Sequence, residues 1–266
     1  GLFRVKADGT IENFKYNAKD PHSLSSNFVR ACCEDNLGNI WIGTFNGLNR
    51  YNKITGLFQN HTANDTQADG LTHSSIWCIV KDNQGTLWLG TYFGGVNYFN
   101  PEYEIYTRYS YSSNEKKGLS NPVVGRTIED RDGNLWIGTE GGGLNYYNRR
   151  TREFKWYRPQ EGRNSISHNN VKALYYDADK EIIWIGTHLG GLNKLDIRSG
   201  HFTHYRMEEG NPNTLPSDII RDIIPYKSLL IIATQNGVCL FDPANGQCQH
   251  CLLYTSPSPR DVEESR

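Results

Sequence analysis

The sequence predicts an all-β fold made from one repeated unit. Four near-copies of a single phrase run along the chain, and their tryptophans are Trp41, Trp88, Trp136 and Trp184. The intervals between them are 47, 48 and 48 residues, a period that indicates one supersecondary unit stacked repeatedly. The composition agrees, because 26 glycines and 16 tyrosines in 266 residues are typical of strands joined by tight turns. An α-solenoid is excluded, since the copies lack a 3.6-residue apolar period.

The first complete repeat, residues 27–61, contains four short strand-like segments. An apolar run at 28–33 precedes the turn sequence Asp-Asn-Leu-Gly at 35–38, where a carboxylate and a glycine favour a tight turn. A second strand at 40–44 is apolar on both faces, a third follows at 47–51, and a more polar fourth at 57–61 is expected at a sheet edge. Four short antiparallel strands in about 48 residues are the signature of a β-propeller blade.

The repeat divides the chain into successive blades. We predict a partial blade at 1–24, whole blades at about 25–71, 72–119, 120–166 and 167–215, and an incomplete blade at 216–250. The last copy is degenerate, with Ile231 in the tryptophan position and no Asp-x-x-Gly turn. The chain opens at Gly1 in the middle of a repeat, so we expect a preceding segment in the whole protein. Residues 251–266 begin CLLYTSPSPRD, which resembles a translated sequencing adapter, and we interpret them as read-through and not as a domain.

The constant positions of the repeat are interpreted as packing positions. Each tryptophan is expected to insert between neighbouring blades and to bury roughly 150–250 Å². A glycine two residues after each tryptophan keeps the backbone bare where the next blade approaches. These structural residues are Trp41, Gly43, Trp88, Gly90, Trp136, Gly138, Trp184 and Gly186.

Composition and charge exclude several classes of function. With 28 Lys and Arg against 29 Asp and Glu, there is no electrostatic case for nucleic acid or for an anionic membrane surface. No apolar run approaches the roughly 20 residues that span a bilayer. Cys251 falls in the adapter-like segment, and the other five cysteines show no CxxC pair and no zinc-site spacing. Of these, Cys32, Cys33 and Cys78 occupy apolar strand positions that favour buried thiols. We therefore predict no metal and no cofactor.

The repeated phrase resembles a known family. The copies EDNLGNIWIGTFNGLNRYN, KDNQGTLWLGTYFGGVNYFN, EDRDGNLWIGTEGGGLNYYN and ADKEIIWIGTHLGGLNKLD are similar to the two-component-regulator propeller repeat. The resemblance covers Gly1 to about Gln249, essentially the whole chain before the adapter-like end. Members of that family commonly build two seven-bladed propellers, so about five and a half blades of an expected seven are present here.

The resemblance also implies a function. Family members are periplasmic sensors of hybrid two-component histidine kinases, best known in gut Bacteroidetes, and their propellers precede a β-sandwich, a transmembrane helix, the kinase and a DNA-binding output. It implies a non-catalytic periplasmic module that recognises oligosaccharides and controls transcription of polysaccharide-utilisation genes by phosphorelay. The implied partners are an oligosaccharide ligand and a second receptor copy in a homodimer, with membrane attachment only through missing downstream segments and no nucleic acid bound by this part.

Positions that differ between copies indicate where a ligand could bind. The connections between strands two and three, and those between blades, vary and are expected on one rim of the propeller, whereas the other turns are stereotyped. One position early in each first strand reads Arg30, Trp77, Gly125, Lys172 and, depending on register, Ile220 or Arg221. Aromatic faces and charged donors together suit the apolar faces and hydroxyls of an oligosaccharide. The candidate ligand-binding residues are Arg30, Trp77, Tyr92, Phe93, Arg126, Glu140, Lys172 and His188.

Two other classes of function stay open. Asp-x-x-Gly-x-x-Trp is similar to the Asp-box of sialidase-type propellers, so a secreted sialidase- or lyase-like enzyme is one alternative. A protein-interaction propeller is another, although the Gly-His and Trp-Asp pairs of that type are absent. No Tyr–Glu partnership for glycosidic catalysis is identifiable, and we interpret Asp35, Asp82, Asp130 and Asp177 as turn formers. No catalytic residue is predicted.

Overall fold

The computed structural model describes residues 1–63 and 70–251 and confirms the predicted all-β propeller architecture. The described strands form five four-stranded antiparallel sheets and one two-stranded sheet. Within each four-stranded sheet, hydrogen-bonded neighbours follow chain order, which is the topology of a propeller blade. Helix is limited, in the described part of the chain, to the single 3₁₀ turn Glu115–Lys117, and no helix there is long and apolar enough to cross a membrane.

The sheets are numbered here from 1 to 6 in chain order. Sheet 1 contains β1 (Leu2–Val5) and β2 (Ile11–Phe14). Sheet 2 contains β3 (Val29–Glu34), β4 (Ile40–Thr44), β5 (Gly47–Tyr51) and β6 (Phe58–His61). Sheet 3 contains β7 (Ile76–Lys81), β8 (Leu87–Thr91), β9 (Val96–Asn100) and β10 (Ile105–Tyr109). Sheet 4 contains β11 (Val124–Glu129), β12 (Leu135–Thr139), β13 (Leu144–Asn148) and β14 (Glu153–Tyr157). Sheet 5 contains β15 (Val171–Asp177), β16 (Ile182–Thr187), β17 (Leu192–Asp196) and β18 (His201–Tyr205). Sheet 6 contains β19 (Ile220–Tyr226), β20 (Leu229–Thr234), β21 (Gly237–Phe241) and β22 (Cys248–Cys251).

The first strands of sheets 2 to 6 form the hub of the molecule. Strands β3, β7, β11, β15 and β19 contact one another in succession. The fourth strand of each of these sheets is bonded on one side only and lies at the periphery, as its polar sequence predicted. The first strands therefore line the axis, and their solvent-facing side chains converge there.

The tryptophans of the second strands fill the spaces between sheets. Trp41 is fully buried and packs in one cluster with Leu87, Leu89 and Phe99 of sheet 3. Its ring meets that of Phe99 edge-on, with 5.0 Å between centroids, a favourable geometry for aromatic pairs. A blade cannot hide such a side chain alone, so burial of the tryptophan couples each sheet to the next.

A glycine is required two residues after each tryptophan because the neighbouring sheet approaches the backbone closely there. A Cβ on Gly138 would lie 2.5 Å from Cγ1 of Val171, on the first strand of sheet 5. Gly186 stands in the same relation to Ile220 of sheet 6, at 2.4 Å. No side chain fits at these positions unless the sheets move apart.

The Asp-x-x-Gly turn closes around its own tryptophan. One carboxylate oxygen of Asp35 accepts hydrogen bonds from the backbone N–H groups of Leu37 and Asn39, each at 2.9 Å. The other accepts the indole N–H of Trp41 at 2.7 Å. Burial opposes ionisation, but these bonds and one from the Asn39 side chain hold the pKa of Asp35 below its usual value. Asp82 and Asp130 bond their turns and tryptophans in the same way.

The fourth copy departs from this arrangement. Asp177 is paired with Ile182 in the β15–β16 ladder, and its carboxylate forms an ion pair with Lys180 at 3.3 Å. The indole nitrogen of Trp184 is buried and has no hydrogen-bond partner among the described residues. The cause is spacing, because seven residues separate Asp177 from Trp184 where six separate Asp35 from Trp41. Asp177 still accepts a hydrogen bond from the backbone N–H of Lys180 at 3.3 Å, so it forms a turn as interpreted, but this turn does not bind the tryptophan.

A buried ion pair joins sheets 3 and 4. The guanidinium of Arg149 contacts the fully buried carboxylate of Asp82 and lies 3.4 Å from Glu129. It also lies over the ring of Trp88, 5.1 Å from its centroid. Burial raises the pKa of Glu129. This cluster ties the stereotyped turns of two adjacent sheets together.

Two further expectations need correction. The range 216–250 was expected to hold an incomplete blade, but sheet 6 has four strands, because its outer strands and their turns are retained although the tryptophan is lost.

A buried thiol was expected at Cys32, which is exposed, and at Cys33, which is half-buried. Only Cys78 of the three is buried. The counterpart of Cys32 in sheet 3, Ile79, is buried against the preceding sheet, whereas sheet 1, which precedes Cys32, has only two described strands. Cys251 ends β22, and the adapter interpretation of the remaining residues, 252–266, lies outside the described residues and stays a prediction.

Candidate functional site

Every first strand contains a β-bulge at the same place. The ladder to the second strand shifts between Val29 and Ala31 in sheet 2 and at the equivalent point in sheets 3 to 6. The bulged residues are Arg30, Trp77, Gly125, Lys172 and Arg221. A bulge turns a side chain out of the pleat and is common where a sheet presents functional groups. The register left open in the sequence resolves to Arg221, because Ile220 pairs with Thr234 and is buried.

The bulged residues meet around one cavity at the hub. Its volume is about 380 Å³, within the usual range of ligand sites, roughly 300–1,000 Å³. Arg126 and Glu140 complete its wall, and Gly125, which has no side chain, lies among its lining residues. The lining residues are Arg30, Trp77, Gly125, Arg126, Glu140, Lys172 and Arg221. Five of the eight candidate ligand-binding residues thus lie together.

Three side chains form a layered stack at one side of the cavity. The guanidinium of Arg30 lies 4.1 Å from the ring centroid of Trp77, and Tyr92 stacks on Trp77 at 5.5 Å with an interplanar angle of 11°. Cation–π contact and ring stacking hold both the arginine and the tryptophan in place. The indole nitrogen of Trp77 is buried without a hydrogen-bond partner among the residues described.

Two of the four basic residues in the wall are neutralised by carboxylates. Lys172 pairs with Glu140, with 2.5 Å between Nζ and Oε1. Arg126 lies 3.4 Å from Asp222, which comes from sheet 6, and its Nε donates to the backbone carbonyl of Lys172 at 3.3 Å. These contacts connect sheets 4, 5 and 6 across the hub and fix the shape of the cavity.

The other two basic residues have no carboxylate partner in residues 1–63 and 70–251. Arg30 makes no side-chain hydrogen bond to described residues and contacts only aromatic rings, Trp77 and Phe45. Arg221 makes one long contact, 3.5 Å to the amide oxygen of Gln235. Both guanidinium groups are exposed. The cavity therefore carries a local positive charge although the chain as a whole is near neutral.

The remaining candidates lie on the rim outside the cavity. Phe93 is 58% exposed and packs against Tyr92, with 4.4 Å between ring centroids, and against His73 at 6.2 Å. His188 does not line the cavity and meets His168 at 6.4 Å instead. Burial, followed by the nearby His188, lowers the pKa of His168.

The rim is built by connections that the backbone ties together. The connection between strands two and three donates an N–H to the segment that enters the first strand, as in Phe45 to Phe28 at 3.0 Å and Tyr92 to Ser75 at 3.1 Å. Sheets 4, 5 and 6 repeat this bond. Both variable sets of connections therefore lie on one rim, here called the variable rim.

A buried asparagine anchors the incoming segment in sheets 2 to 5. In sheet 2, the side-chain oxygen of Asn49 accepts the N–H of Ser25 at 2.8 Å and its amide donates to the Ser25 hydroxyl at 2.9 Å. The equivalent residues are Asn97, Asn145 and Asn193. A satisfied buried amide specifies one arrangement of the loop, so the rim is held in a defined shape.

Sequence reasoning missed three features of this site. The repeat positions of Arg221 and Asp222 were ambiguous because the last copy lacks the tryptophan used for alignment. Alignment of the last copy on Thr234, the end of its second strand, assigns them. Exposed Phe28 and Phe45 extend the aromatic surface, with 6.4 Å between their rings. The sequence pattern that could have predicted this surface is a pair of aromatic residues on the variable rim, one just before β3 and one just after β4. No sequence signal predicts which carboxylates neutralise which cations.

Two alternative kinds of site are less well supported. A larger cavity of about 560 Å³ lies at the outer edge of sheet 6, between Pro212, Leu240 and His250. It is lined mainly by turn residues and amides and has no cluster of charges. Across residues 1–63 and 70–251, no group of three or more His, Cys, Asp or Glu side chains is arranged to hold a metal ion.

Comparison with known proteins identifies the repeat. The family model described as "Two component regulator propeller" matches four segments, residues 23–46, 70–93, 118–141 and 165–188. The chain carries two-component regulator propeller repeats. Each matched segment begins before a first strand and ends in the connection after a second strand, so a regulator propeller repeat spans the bulge, the Asp-x-x-Gly turn and the tryptophan. A search of curated proteins returned no match.

Solved structures share the fold of these regulator propeller repeats. The extracellular domain of the hybrid two-component system BT3049 from B. thetaiotaomicron aligns with a TM-score of 0.73 and 21% identity, over 85% of this chain and 30% of that one. A surface component of the type-IX secretion system of Porphyromonas gingivalis, PorZ, aligns with a TM-score of 0.63 and 20% identity, over 86% of this chain and 34% of that one. This chain thus spans about a third of each of those proteins.

An enzyme has the same architecture. A catalytically inactive virginiamycin B lyase from Staphylococcus aureus, solved with quinupristin, aligns with a TM-score of 0.68 and 12% identity, over 96% of this chain and 78% of that one. At such identities the likeness concerns the fold alone. The same architecture therefore occurs in a two-component system and in a lyase, and the function of this chain must be argued from its own side chains.

Proposed function

We propose that this chain is the ligand-sensing propeller of a hybrid two-component histidine kinase and that it recognises an oligosaccharide at the hub cavity. The regulator propeller repeats and the fold shared with an extracellular two-component domain support the sensor part of the proposal. The observation that carries the ligand part is the cavity itself, where the stacked Trp77 and Tyr92 adjoin charged donors. The module would act outside the cytoplasmic membrane, in the periplasm.

The chemistry of the cavity suits a sugar. A pyranose ring presents C–H groups on its faces, which pack on exposed aromatic rings, and hydroxyls at its edge, which bond to charged planar groups. Tyr92 and Phe93 offer exposed aromatic surface beside Arg30. Because the stack on Trp77 already fixes Arg30 and Tyr92, little conformational entropy of these two side chains would be lost on binding.

Signalling requires the ligand to favour one arrangement of the whole receptor. A ligand shifts an equilibrium only by its difference in affinity for the two states. Each sheet is locked to the next by its buried tryptophan, so the propeller is suited to move as one body. In this proposal it does so within a homodimer of the full receptor, and phosphorelay then controls transcription of polysaccharide-utilisation genes.

Calorimetry of the chain against a panel of plant, host and microbial oligosaccharides tests the proposal. We expect binding by at least one glycan and about tenfold weaker binding after Tyr92→Ala, since stacking of one ring on an aromatic side chain contributes about 1–1.5 kcal/mol. Tyr103→Ala is the matched control, because Tyr103 is equally aromatic and 67% exposed but follows β9 on the opposite rim. A folded protein that binds no glycan contradicts the proposal.

The second candidate is a propeller enzyme, favoured by the fold shared with virginiamycin B lyase. The same panel distinguishes the two, because an enzyme consumes its ligand. Incubation of the chain with each glycan, followed by mass spectrometry, is expected to return the glycan intact. Turnover that Glu140→Gln abolishes would replace the sensor proposal with the enzymatic one.

A further inference from the structure

We infer that the hub cavity takes an anionic ligand, a saccharide bearing carboxylate or sulfate groups, and that Arg30 and Arg221 are the residues that bind these groups. This inference rests on the proposed function and narrows its ligand class. It depends on the balance of charges in the wall of the cavity and not on the family to which the repeats belong.

The pairing of charges divides the four cations of the cavity into two kinds. Lys172 and Arg126 are satisfied by Glu140 and Asp222, at 2.5 Å and 3.4 Å. They shape the wall but have little charge left to offer a ligand. Arg30 and Arg221 have no carboxylate partner among the described residues, and they carry the excess positive charge.

Arg30 is held ready to bind an oxyanion. Its guanidinium rests on Trp77 at 4.1 Å, and Tyr92 supports the far face of that ring. Contact with an aromatic face orients a guanidinium but accepts none of its N–H donors in the plane of the group. Those donors match the two oxygens of a carboxylate or sulfate, and paired bonds to an anion are the strong ones.

Arg221 holds the equivalent bulge position in sheet 6, and the bulge aims it into the same cavity. Between the two arginines around the hub lie Trp77, Gly125 and Lys172, of which Gly125 leaves an open slot. A neutral sugar needs no such pair of unneutralised cations. Two separated guanidinium groups favour a ligand with anionic groups on different sugar units.

The surroundings of Arg30 are apolar on two sides and open to solvent elsewhere. Aromatic side chains flank Arg30 on two sides, Phe45 at 5.7 Å and Trp77 at 4.1 Å. A cleft lined by one sign of charge and apolar walls concentrates the opposite ion. The attraction is still open to solvent and must weaken as salt is added.

Calorimetry with three tetrasaccharides of equal length tests the inference: neutral maltotetraose, tetragalacturonate and a sulfated heparin tetrasaccharide. We expect at least one anionic probe to bind ten times more tightly than the neutral one, and its affinity to fall about tenfold between 0.05 and 0.5 M NaCl as the charges are screened. Arg30→Ala and Arg221→Ala should each weaken binding about tenfold, the effect of losing one charge-assisted contact.

Variants separate charge from geometry and from folding. Arg30→Lys keeps the charge but loses the planar fork, and intermediate binding is expected. Arg150→Ala is the matched control, because Arg150 is an exposed arginine in the β13–β14 turn on the opposite rim, and it should bind as the parent does. If every variant unfolds at the same temperature as the parent protein, a loss of binding is not caused by a loss of folded structure.

The outcomes distinguish this inference from the proposed function. Equal affinity for neutral and anionic tetrasaccharides, unaffected by Arg30→Ala and Arg221→Ala, overturns the inference and leaves oligosaccharide sensing intact. Poly-glutamate is measured beside the tetrasaccharides. If it binds as tightly as the anionic tetrasaccharides, the site takes an anionic ligand but the saccharide part of the inference is overturned. If neither these probes nor any member of the oligosaccharide panel binds the folded chain, both proposals fail, whereas binding of a neutral member of the panel alone overturns only the inference.

Discussion

At the scale of single residues, the four tryptophans are equivalent in sequence but not in their hydrogen bonds. Trp41 and Trp88 donate to buried carboxylates, and Trp136 donates to the half-buried carboxylate of Asp130. Trp184 lies in the same packing position but has no described acceptor for its indole N–H. A buried donor without a partner costs free energy, and a buried acceptor left unpaired costs as much. One additional residue between the aspartate and the tryptophan thus removes the indole hydrogen bond and its contribution to stability.

We expect Trp41→Phe to destabilise the chain by about 1–2 kcal/mol more than Trp184→Phe. Both changes remove similar volume, but the first removes a hydrogen bond to the buried Asp35 carboxylate and the second removes an unsatisfied N–H. Urea unfolding followed by circular dichroism measures the difference. Equal losses for the two variants would show that the indole hydrogen bond has no net effect on stability.

His61 is a second residue where one copy differs from the others. It pairs with Leu48 at the position that holds Tyr109, Tyr157 and Tyr205 in sheets 3 to 5. Its ring lies 5.5 Å from Trp41, and burial lowers its pKa, with Glu104 and Arg50 as the nearby charges. The unfolded chain therefore binds a proton at His61 more readily than the folded one, and stability falls as pH drops below about 6.5.

We expect His61→Tyr to raise the free energy of unfolding, and by more at pH 5.5 than at pH 8. The tyrosine restores the side chain found in the other copies and removes the protonation that favours the unfolded state, a contribution of at most about 1.4 kcal/mol at pH 5.5. Urea midpoints at both pH values measure this. His204→Tyr is the control, because His204 is exposed, and an equal pH-dependent gain there would contradict the role of burial.

At the scale of elements, the unit of construction is the contact between one sheet and the next. The second strand supplies a tryptophan and a bare glycine to this contact, and the first strand of the following sheet supplies a branched side chain such as Val171 or Ile220. In sheet 6, Ala233 occupies the position of the glycine. A side chain fits there because no further sheet among the described residues follows sheet 6. The spacing between sheets is therefore set by the glycine.

We expect Gly138→Ala to cost about 1–3 kcal/mol, the usual effect of overpacking a close contact. The added Cβ would lie 2.5 Å from Val171, and Val171→Ala in the same chain should recover part of the loss. Ala233→Gly is the control and should change stability by less than about 1 kcal/mol. Thermal melts of the single and double variants measure the coupling, and its absence would show that the sheets do not meet as described.

At the scale of the whole molecule, stability is expected to vary along the array. Apart from the Arg126–Asp222 ion pair between sheets 4 and 6, the main contacts of each sheet are with its neighbours, so stability approximates a sum over sheets and their interfaces. Sheets 3 to 5 have a buried second strand and a packed sheet on both sides. Sheet 1 has two strands only, with Phe3, Val5 and Ile11 exposed. Local opening should therefore differ strongly between the two regions.

We expect amide hydrogen exchange to be slowest in β8, β12 and β16 and fastest in β1 and β2. Exchange follows the free energy of local opening, which is low where few apolar contacts are buried. Mass spectrometry of peptides from a time course of deuterium labelling measures it. Uniform protection across all six sheets would contradict a nearest-neighbour array and indicate one cooperative unit.

The sequence alone determined the architecture and the composition of the rim. Its period identifies the blade, its Asp-x-x-Gly and Trp-x-Gly phrases identify turns and packing, and both follow from local chemistry that each copy repeats. Five of the eight candidate ligand-binding residues lie at one cavity because a bulge recurs at one position, and comparison of the copies was enough to find that position.

Only the tertiary structure decided which charges are neutralised and which are left free. Arg126 meets Asp222 although 96 residues separate them, because the hub brings sheets 4 and 6 together. Arg30 stacks on Trp77 of the next sheet, and Cys32 is exposed although its counterpart in sheet 3, Ile79, is buried. These relations depend on contacts between repeats, which no pattern within a repeat can encode, and the free charge of the cavity is their consequence.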